Sequence, residues 1–209
     1  DINSLDKITL IKGPGALQYT GSALGGIIIG QSAKVSLQDS LYGNTSIIGA
    51  SNGRGSVLRS KATLTNSNGS YLSFNGSIKR FGDYSAPNYI MRNTATNEKS
   101  LSLKFGLNRV NYGFEFLYSF FNNEIGILRS AHVHTPQDQA RAINSDFPLF
   151  TGDFTYDIEA PYQDVKHQIA RLKAFKKIDN NQKFSIKYDF QRNNRLEYDI
   201  RLGDDKFKP

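Results

Sequence analysis

The chain has 209 residues, an apolar fraction of 38% and an aromatic fraction of 12%, drawn from 14 Phe and 11 Tyr with no Trp. A net charge of +7 reads most plainly as a soluble basic surface, with nucleic acid, anionic headgroups and anionic ligands as the sharper alternatives, and the absence of Cys excludes a disulfide scaffold, a thiol nucleophile and a zinc–thiolate site. No run of about 18 apolar residues occurs, which excludes a transmembrane helix; a barrel needs only strands of about 10 residues with alternating polarity.

Asp6 to Lys12 is β-branched and short, a strand that stops at Gly13-Pro14-Gly15. Ala16 to Tyr19 predicts a single helical turn with Pro14 near its start. Gly25-Gly26 forces a tight backbone, and Ile27-Ile28-Ile29 reads as a buried strand. Gln31 to Leu41 reads as a linker. The chain starts at Asp1 without a basic and apolar leader pattern, so it is expected to be a mature chain or an internal piece.

From Tyr42 the pattern becomes regular. Tyr42 to Ser51 is a strand, Asn52-Gly53-Arg54-Gly55 a turn, and Ser56 to Thr65 a strand with Leu58, Ala62 and Leu64 on one face. After Asn66 to Gly69, Leu72, Phe74, Gly76 and Ile78 oppose Ser73, Asn75, Ser77 and Lys79. Gly82 to Glu98 is a polar connection. Leu101, Leu103, Phe105 and Leu107 then oppose Ser102, Lys104, Gly106 and Asn108, and a turn near Val110-Asn111 leads to Phe114, Phe116, Tyr118 and Phe120. An irregular stretch over 122–164 precedes two strands, about Val165 to Ile178 and a second in which Phe184, Ile186, Tyr188 and Phe190 alternate with polar residues. Counted this way there are about seven strands, and the long connections, of about 17 and 40 residues, alternate with short ones after the third and fifth strands. Short turns on one side and long loops on the other are the habit of outer-membrane barrels.

The stretch Ile8 to Gly30 resembles the end of the plug domain of TonB-dependent outer-membrane receptors, in Lys12-Gly13-Pro14, Tyr19, Gly25-Gly26 and the apolar Ile27 to Ile29. Thr20 departs from the family's usual Gly after the Tyr, and Gly82-Asp83-Tyr84 resembles a Gly-Asp-Tyr found where an early barrel strand leaves the membrane. The match covers the first 30 residues closely and the remainder by architecture. It implies an all-β chain, a partial transmembrane antiparallel barrel of about seven strands. Residues 1–35 would be the C-terminal part of the plug and 36–209 the N-terminal portion of the barrel.

The resemblance further implies location in the bacterial outer membrane and energised uptake of a scarce nutrient, most commonly a ferric siderophore. The TonB complex would act through a segment absent from this chain. Outer-membrane lipid and lipopolysaccharide would be neighbours. No cofactor, catalytic role or nucleic-acid partner is implied. On this reading Phe114, Phe116, Phe184 and Phe190 face outwards, and Lys183, Lys187 and Asp189 face the plug.

Candidate ligand residues lie in the long loop. His132 and His134, with Asp138 nearby, form a His-x-His pair of the kind that can bind a metal; the plainer reading is ordinary polar loop residues. Arg129 and Arg141, with Arg80 and Arg92, offer charge to an anionic siderophore or lipopolysaccharide; the plainer reading is solvated surface charge. Phe150 and Tyr156, with Phe147 and Phe154, offer stacking or else the loop's own small core, and Asp146, Asp153, Asp157 and Glu159 make the loop acidic. There is no phosphate loop and no Gly-x-Ser-x-Gly. The basic strands place Lys183 and Lys187 opposite their aromatics, whereas a nucleic-acid platform needs both on one face. The alternative class is a soluble β-rich ligand- or carbohydrate-binding module using the 122–164 loop.

Overall fold

The structure, a computed structural model, describes residues 7–19, 25–31, 38–131, 133, 135–179 and 181–200. It is mostly β, with a seven-stranded antiparallel sheet as its main element.

A two-stranded antiparallel sheet pairs β1 (Lys7–Ile11) with β2 (Ile27–Gln31), Leu10 opposite Ile28. Between them Gly13–Gln18 forms a 3-10 turn that starts three residues earlier than expected. Pro14 sits in its first positions, where a missing N–H costs nothing, and the Tyr19 N–H closes it on the Ala16 carbonyl at 3.1 Å. At Gly26, φ is +110° and an added Cβ would lie 2.7 Å from the Ile11 carbonyl oxygen, so only glycine fits. Thr20 lies outside the described residues. The expected burial of Ile27 to Ile29 is corrected: Ile28 is 71% exposed, because a two-stranded ribbon offers no second layer over that face.

The main sheet runs β11-β10-β9-β8-β5-β4-β3, with β3 (Ser40–Ala50), β4 (Gly55–Thr65), β5 (Ser70–Phe81), β8 (Thr96–Asn108), β9 (Tyr112–Gly126), β10 (Tyr162–Lys177) and β11 (Lys183–Tyr198). The pairs β6 (Tyr84–Ser85) and β7 (Ile90–Met91) form a small hairpin between β5 and β8. Each strand of the main sheet follows its sequence predecessor, so the topology is an open meander with β3 and β11 as its two edges. β9 continues six residues past Phe120, and β10 and β11 are also longer than their alternation suggests. In those segments the polar run Asn122-Asn123-Glu124 is held by ladder pairing with β8 and β10 on both sides.

Register aligns side chains in rows across the sheet. One row reads Leu41, Leu64, Leu72, Phe105, Phe116, Leu172, Tyr188; the next reads Gly43, Ala62, Phe74, Leu103, Tyr118, Ala170, Phe190. These rows stand open: Phe74 is 45% exposed and Phe190 50%. The opposite face is polar and crowded. Ser73 is 8% exposed and Asn75 7%, and the intervening row reads Tyr42, Thr63, Ser73, Lys104, Leu117, Arg171, Asp189. By its lower exposure the polar face is the inner one of the two. The ordinary arrangement of an antiparallel sheet, apolar face covered and polar face wet, is reversed here.

The polar face is stitched by ion pairs and short polar contacts. Tyr71 donates to Glu115 at 2.8 Å, Lys173 lies 3.7 Å from the same carboxylate, and Arg171 and Lys187 both pair with Asp189. Tyr71 lies across Gly106 of the next strand, where an added Cβ would stand 2.9 Å from the Tyr71 hydroxyl and clash with the Phe114 carbonyl. Leu117, Phe121, Ile125, Val165 and Ile169 put some apolar surface on this face as well.

Both long connections lie at the same end of the sheet, together with the short 51–54. One end has 66–69, 109–111 and 178–182; the other has 51–54, 82–95 and 127–161. The expected alternation of short and long connections is present, with bounds of 14 and 35 residues for the two long ones.

Candidate functional site

The three connections at the long-loop end pack into one cluster, and this is where most of the loop residues singled out above come together. It is built outward from β5. Past Phe81 the backbone turns, with the Gly82 N–H on the Gly53 carbonyl at 2.9 Å, and Asp83 becomes fully buried. Asp83 accepts from the Thr94 N–H at 2.8 Å through Oδ1, while its own N–H donates to the Thr155 carbonyl at 2.9 Å. The Gly-Asp-Tyr stretch is thus the point at which the 82–95 connection grips the 127–161 loop.

Arg92 and Asn93 complete that grip. The Arg92 guanidinium lies 3.7 Å from Asp83 and 3.5 Å from Glu159, and donates to the Asp153 carbonyl at 3.4 Å. Asn93, almost fully buried and with φ of 64°, donates from Nδ2 to the Ile127 and Pro161 carbonyls at 3.0 and 2.8 Å and accepts from the Glu159 N–H at 3.0 Å. The neck of the 35-residue loop is therefore closed around one side chain.

Above this polar base sits a layer of arginines on aromatic rings. Arg54 lies 4.2 Å over Phe154, Arg80 5.2 Å over Tyr156 and Arg129 4.6 Å over Phe150. Phe154 and Tyr156 meet edge to face at 5.1 Å, Tyr156 donates to the Arg54 carbonyl at 2.6 Å, and Tyr89 meets Phe147 edge to face at 6.0 Å. These aromatics tie the loops together, and Phe147, Phe150 and Tyr156 still expose substantial ring surface. Each arginine–ring contact contributes about 0.5–1 kcal/mol at such partly exposed sites.

The candidates separate by location. Arg129, Phe150 and Tyr156 belong to this layer, and Arg129 Nη1 is buried without a hydrogen-bond partner among the described residues. Asp138 and Arg141 do not join it. They lie in α1 (Pro136–Ile143), which the irregular reading of 122–164 missed: Thr135 caps the helix, accepting from the Asp138 N–H at 3.0 Å, and Arg141 pairs with Asp138 at 3.1 Å. Those two side chains serve the helix. His132 and His134 lie outside the described residues, and among the described residues no group of three or more metal-ligating side chains occurs. Lys12, Gly13, Pro14, Tyr19, Gly25 and Gly26 lie in the β1–β2 unit and shape its turns. Sequence reasoning missed Asn93 and Arg54. A Thr-Pro-x-Asp signal marked α1, but nothing local marked Asn93.

Chemically, the layer offers delocalised cations, exposed rings and a buried orphan N–H donor. It suits an anionic ligand with flat or apolar surface. No family model, curated protein or solved structure matches the chain.

Proposed function

We propose that the chain is the plug-to-barrel portion of a TonB-dependent outer-membrane receptor that takes up a scarce nutrient, with a ferric siderophore as its cargo. The observation that carries this reading is the uncovered apolar face. Every strand of the main sheet contributes to it, and no other described element lies over it. An apolar surface of this extent is not stable against water and calls for lipid.

Its dimensions suit a bilayer. On β11 the band from Phe184 to Phe190 spans about 20 Å at about 3.3 Å per residue, against a band of about 25 Å in outer-membrane barrels. The band also slants across the sheet. Leu58, the last apolar position of β4, aligns through the register with Asn194 of β11, where the band already stops at Phe190. Four residues over five strand spacings of about 4.8 Å give a slant of about 30°, near the strand tilt of about 35–45° in such barrels. On this reading the long-loop cluster lies outside the cell, where cargo arrives, and the β1–β2 unit belongs to the plug. The soluble-module alternative needs a cover for the rings of β5, β8, β9 and β11.

Fractionation of expressing cells tests the membrane part: the protein is recovered in the outer membrane and resists carbonate extraction, and recovery in the soluble fraction overturns it. Transport is tested by uptake of radiolabelled ferric siderophores in iron-starved cells. Uptake lost on deletion of TonB supports the receptor; uptake unchanged by that deletion refutes it.

A further inference from the structure

The register of β10 on β11 sets Tyr162 directly opposite Tyr198. Their rings are nearly parallel, at 8°, with centroids 4.3 Å apart. At that spacing they are in van der Waals contact as an offset stack. Phe154 and Tyr156, by contrast, meet edge to face at 5.1 Å. On its other side Tyr162 stands opposite Gly126, so no side chain of β9 at that position shares its ring with Tyr198. Among the described residues no other tyrosine of the main sheet stands opposite a tyrosine: Tyr112 faces Lys176, Tyr118 faces Ala170 and Tyr188 faces Leu172. Both rings of the pair are half-buried and remain open to small solutes.

Composition points the same way. The chain holds no Trp, no Cys and one Met. Cysteine and methionine are the side chains that commonly take up oxidising equivalents first, and the single Met91 lies in β7, not on β10 or β11. An oxidising equivalent that reaches these strands therefore ends on a tyrosine.

We infer that Tyr162 and Tyr198 are a modification site, joined by a peroxide-driven one-electron oxidant of the haem-peroxidase class into a dityrosine that staples β11 to β10. Each phenol gives up one electron and its hydroxyl proton. The two phenoxyl radicals form one carbon–carbon bond between ring positions ortho to the oxygens. The hydrogens on those two carbons then move to the phenol oxygens, which restores both rings. Hydrogen peroxide takes up the two electrons and two protons and leaves as two waters. Neither radical has to diffuse, because the partner ring is already in contact. The bond falls at the long-loop end of β11, which is an edge of the sheet. It closes the hairpin between residues 162 and 198, so that the opened state of this edge loses chain entropy. The site requires only this register and these two rings, and stands whether or not the sheet meets lipid.

The test treats the purified protein in dodecyl maltoside with hydrogen peroxide and a haem peroxidase. The monomer is read by dityrosine fluorescence and by tandem mass spectrometry of its digest. A peptide carrying Tyr162 is expected joined to one carrying Tyr198, lighter by two hydrogens. Tyr162→Phe and Tyr198→Phe each keep the stacked ring, circular dichroism reports that they fold, and each is expected to lose that product. Tyr188→Phe, at a position 64% exposed, is expected to keep it. In oxidised wild type, hydrogen exchange at the β11 amides near Tyr198 is expected to slow by at least about tenfold, and in oxidised Tyr198→Phe to stay as it was. Absence of the linked peptide, its survival in either Phe variant of the pair, equal yield from urea-unfolded protein, or exchange unchanged by oxidation overturns the site.

Discussion

Asn93 donates from Nδ2 to the carbonyl oxygen of Pro161 at 2.8 Å, across 68 residues of sequence. The same nitrogen reaches Ile127, and the Ile127 N–H itself donates to the Pro161 carbonyl at 2.9 Å, so both ends of the longest loop converge on one amide. The φ of 64° suits Asn, and replacing it by Gly keeps that backbone conformation while deleting the side chain.

Asn93→Gly is accordingly expected to loosen the loop without unfolding the sheet. Three hydrogen bonds are lost, one buried and two part-buried, a local cost of about 2–4 kcal/mol. Limited proteolysis should show cleavage within 127–161 rising by at least about tenfold, with unchanged thermal unfolding of the strands. Unchanged proteolysis would mean that the neck is held elsewhere.

Leu103 and Ser102 are sequence neighbours on opposite faces of β8. If the apolar face meets lipid, Leu103→Arg costs about 2–4 kcal/mol near mid-band, whereas Ser102→Arg on the inner face stays within about 1 kcal/mol. Urea titrations of protein folded into lipid vesicles measure both. Equal costs at the two positions count against a lipid-facing band.

Gly25 and Gly26 are adjacent but unequal. A Cβ at Gly25 meets nothing within 4 Å, while at Gly26 it meets the Ile11 carbonyl oxygen at 2.7 Å on a backbone of positive φ. Gly26→Ala should therefore destabilise the β1–β2 pairing by about 1–3 kcal/mol, and Gly25→Ala should be close to neutral. Hydrogen exchange at the β1 amides reports the difference, and faster exchange in Gly25→Ala than in Gly26→Ala would contradict the geometry.

Tyr71 and Gly106 form a matched pair, since the ring occupies the space that a side chain at 106 would need. Gly106→Ala is expected to displace the Tyr71 hydroxyl from Glu115 and cost about 1–3 kcal/mol. In the Tyr71→Ser background the same substitution should cost about 1 kcal/mol less, because the ring is gone and only the contact with the Phe114 carbonyl remains. A double-mutant cycle measures this coupling, and a cycle with zero coupling removes the pair as a structural device.

Much of the sheet can be read from the chain because a strand assigns faces locally. Phe184, Ile186, Tyr188 and Phe190 share a side whatever they pair with, since the period is two. For the same reason the number of strands and the sorting of their connections follow from turn residues and alternation alone. Strand ends are different. Asn122-Asn123-Glu124 carries no alternation, and only the ladder bonds to β8 and β10 keep it extended.

The loop cluster depended wholly on the tertiary structure. Arg54 meets Phe154 and Tyr156 reaches the Arg54 carbonyl across 102 residues, and no periodicity encodes contacts at that separation. Which face is crowded was likewise decided only by the folded sheet. The alternation sorts Phe74 from Ser73 but says nothing of exposure, and it is the packing of neighbouring strands' side chains across the polar rows that shields Ser73 and leaves Phe74 open.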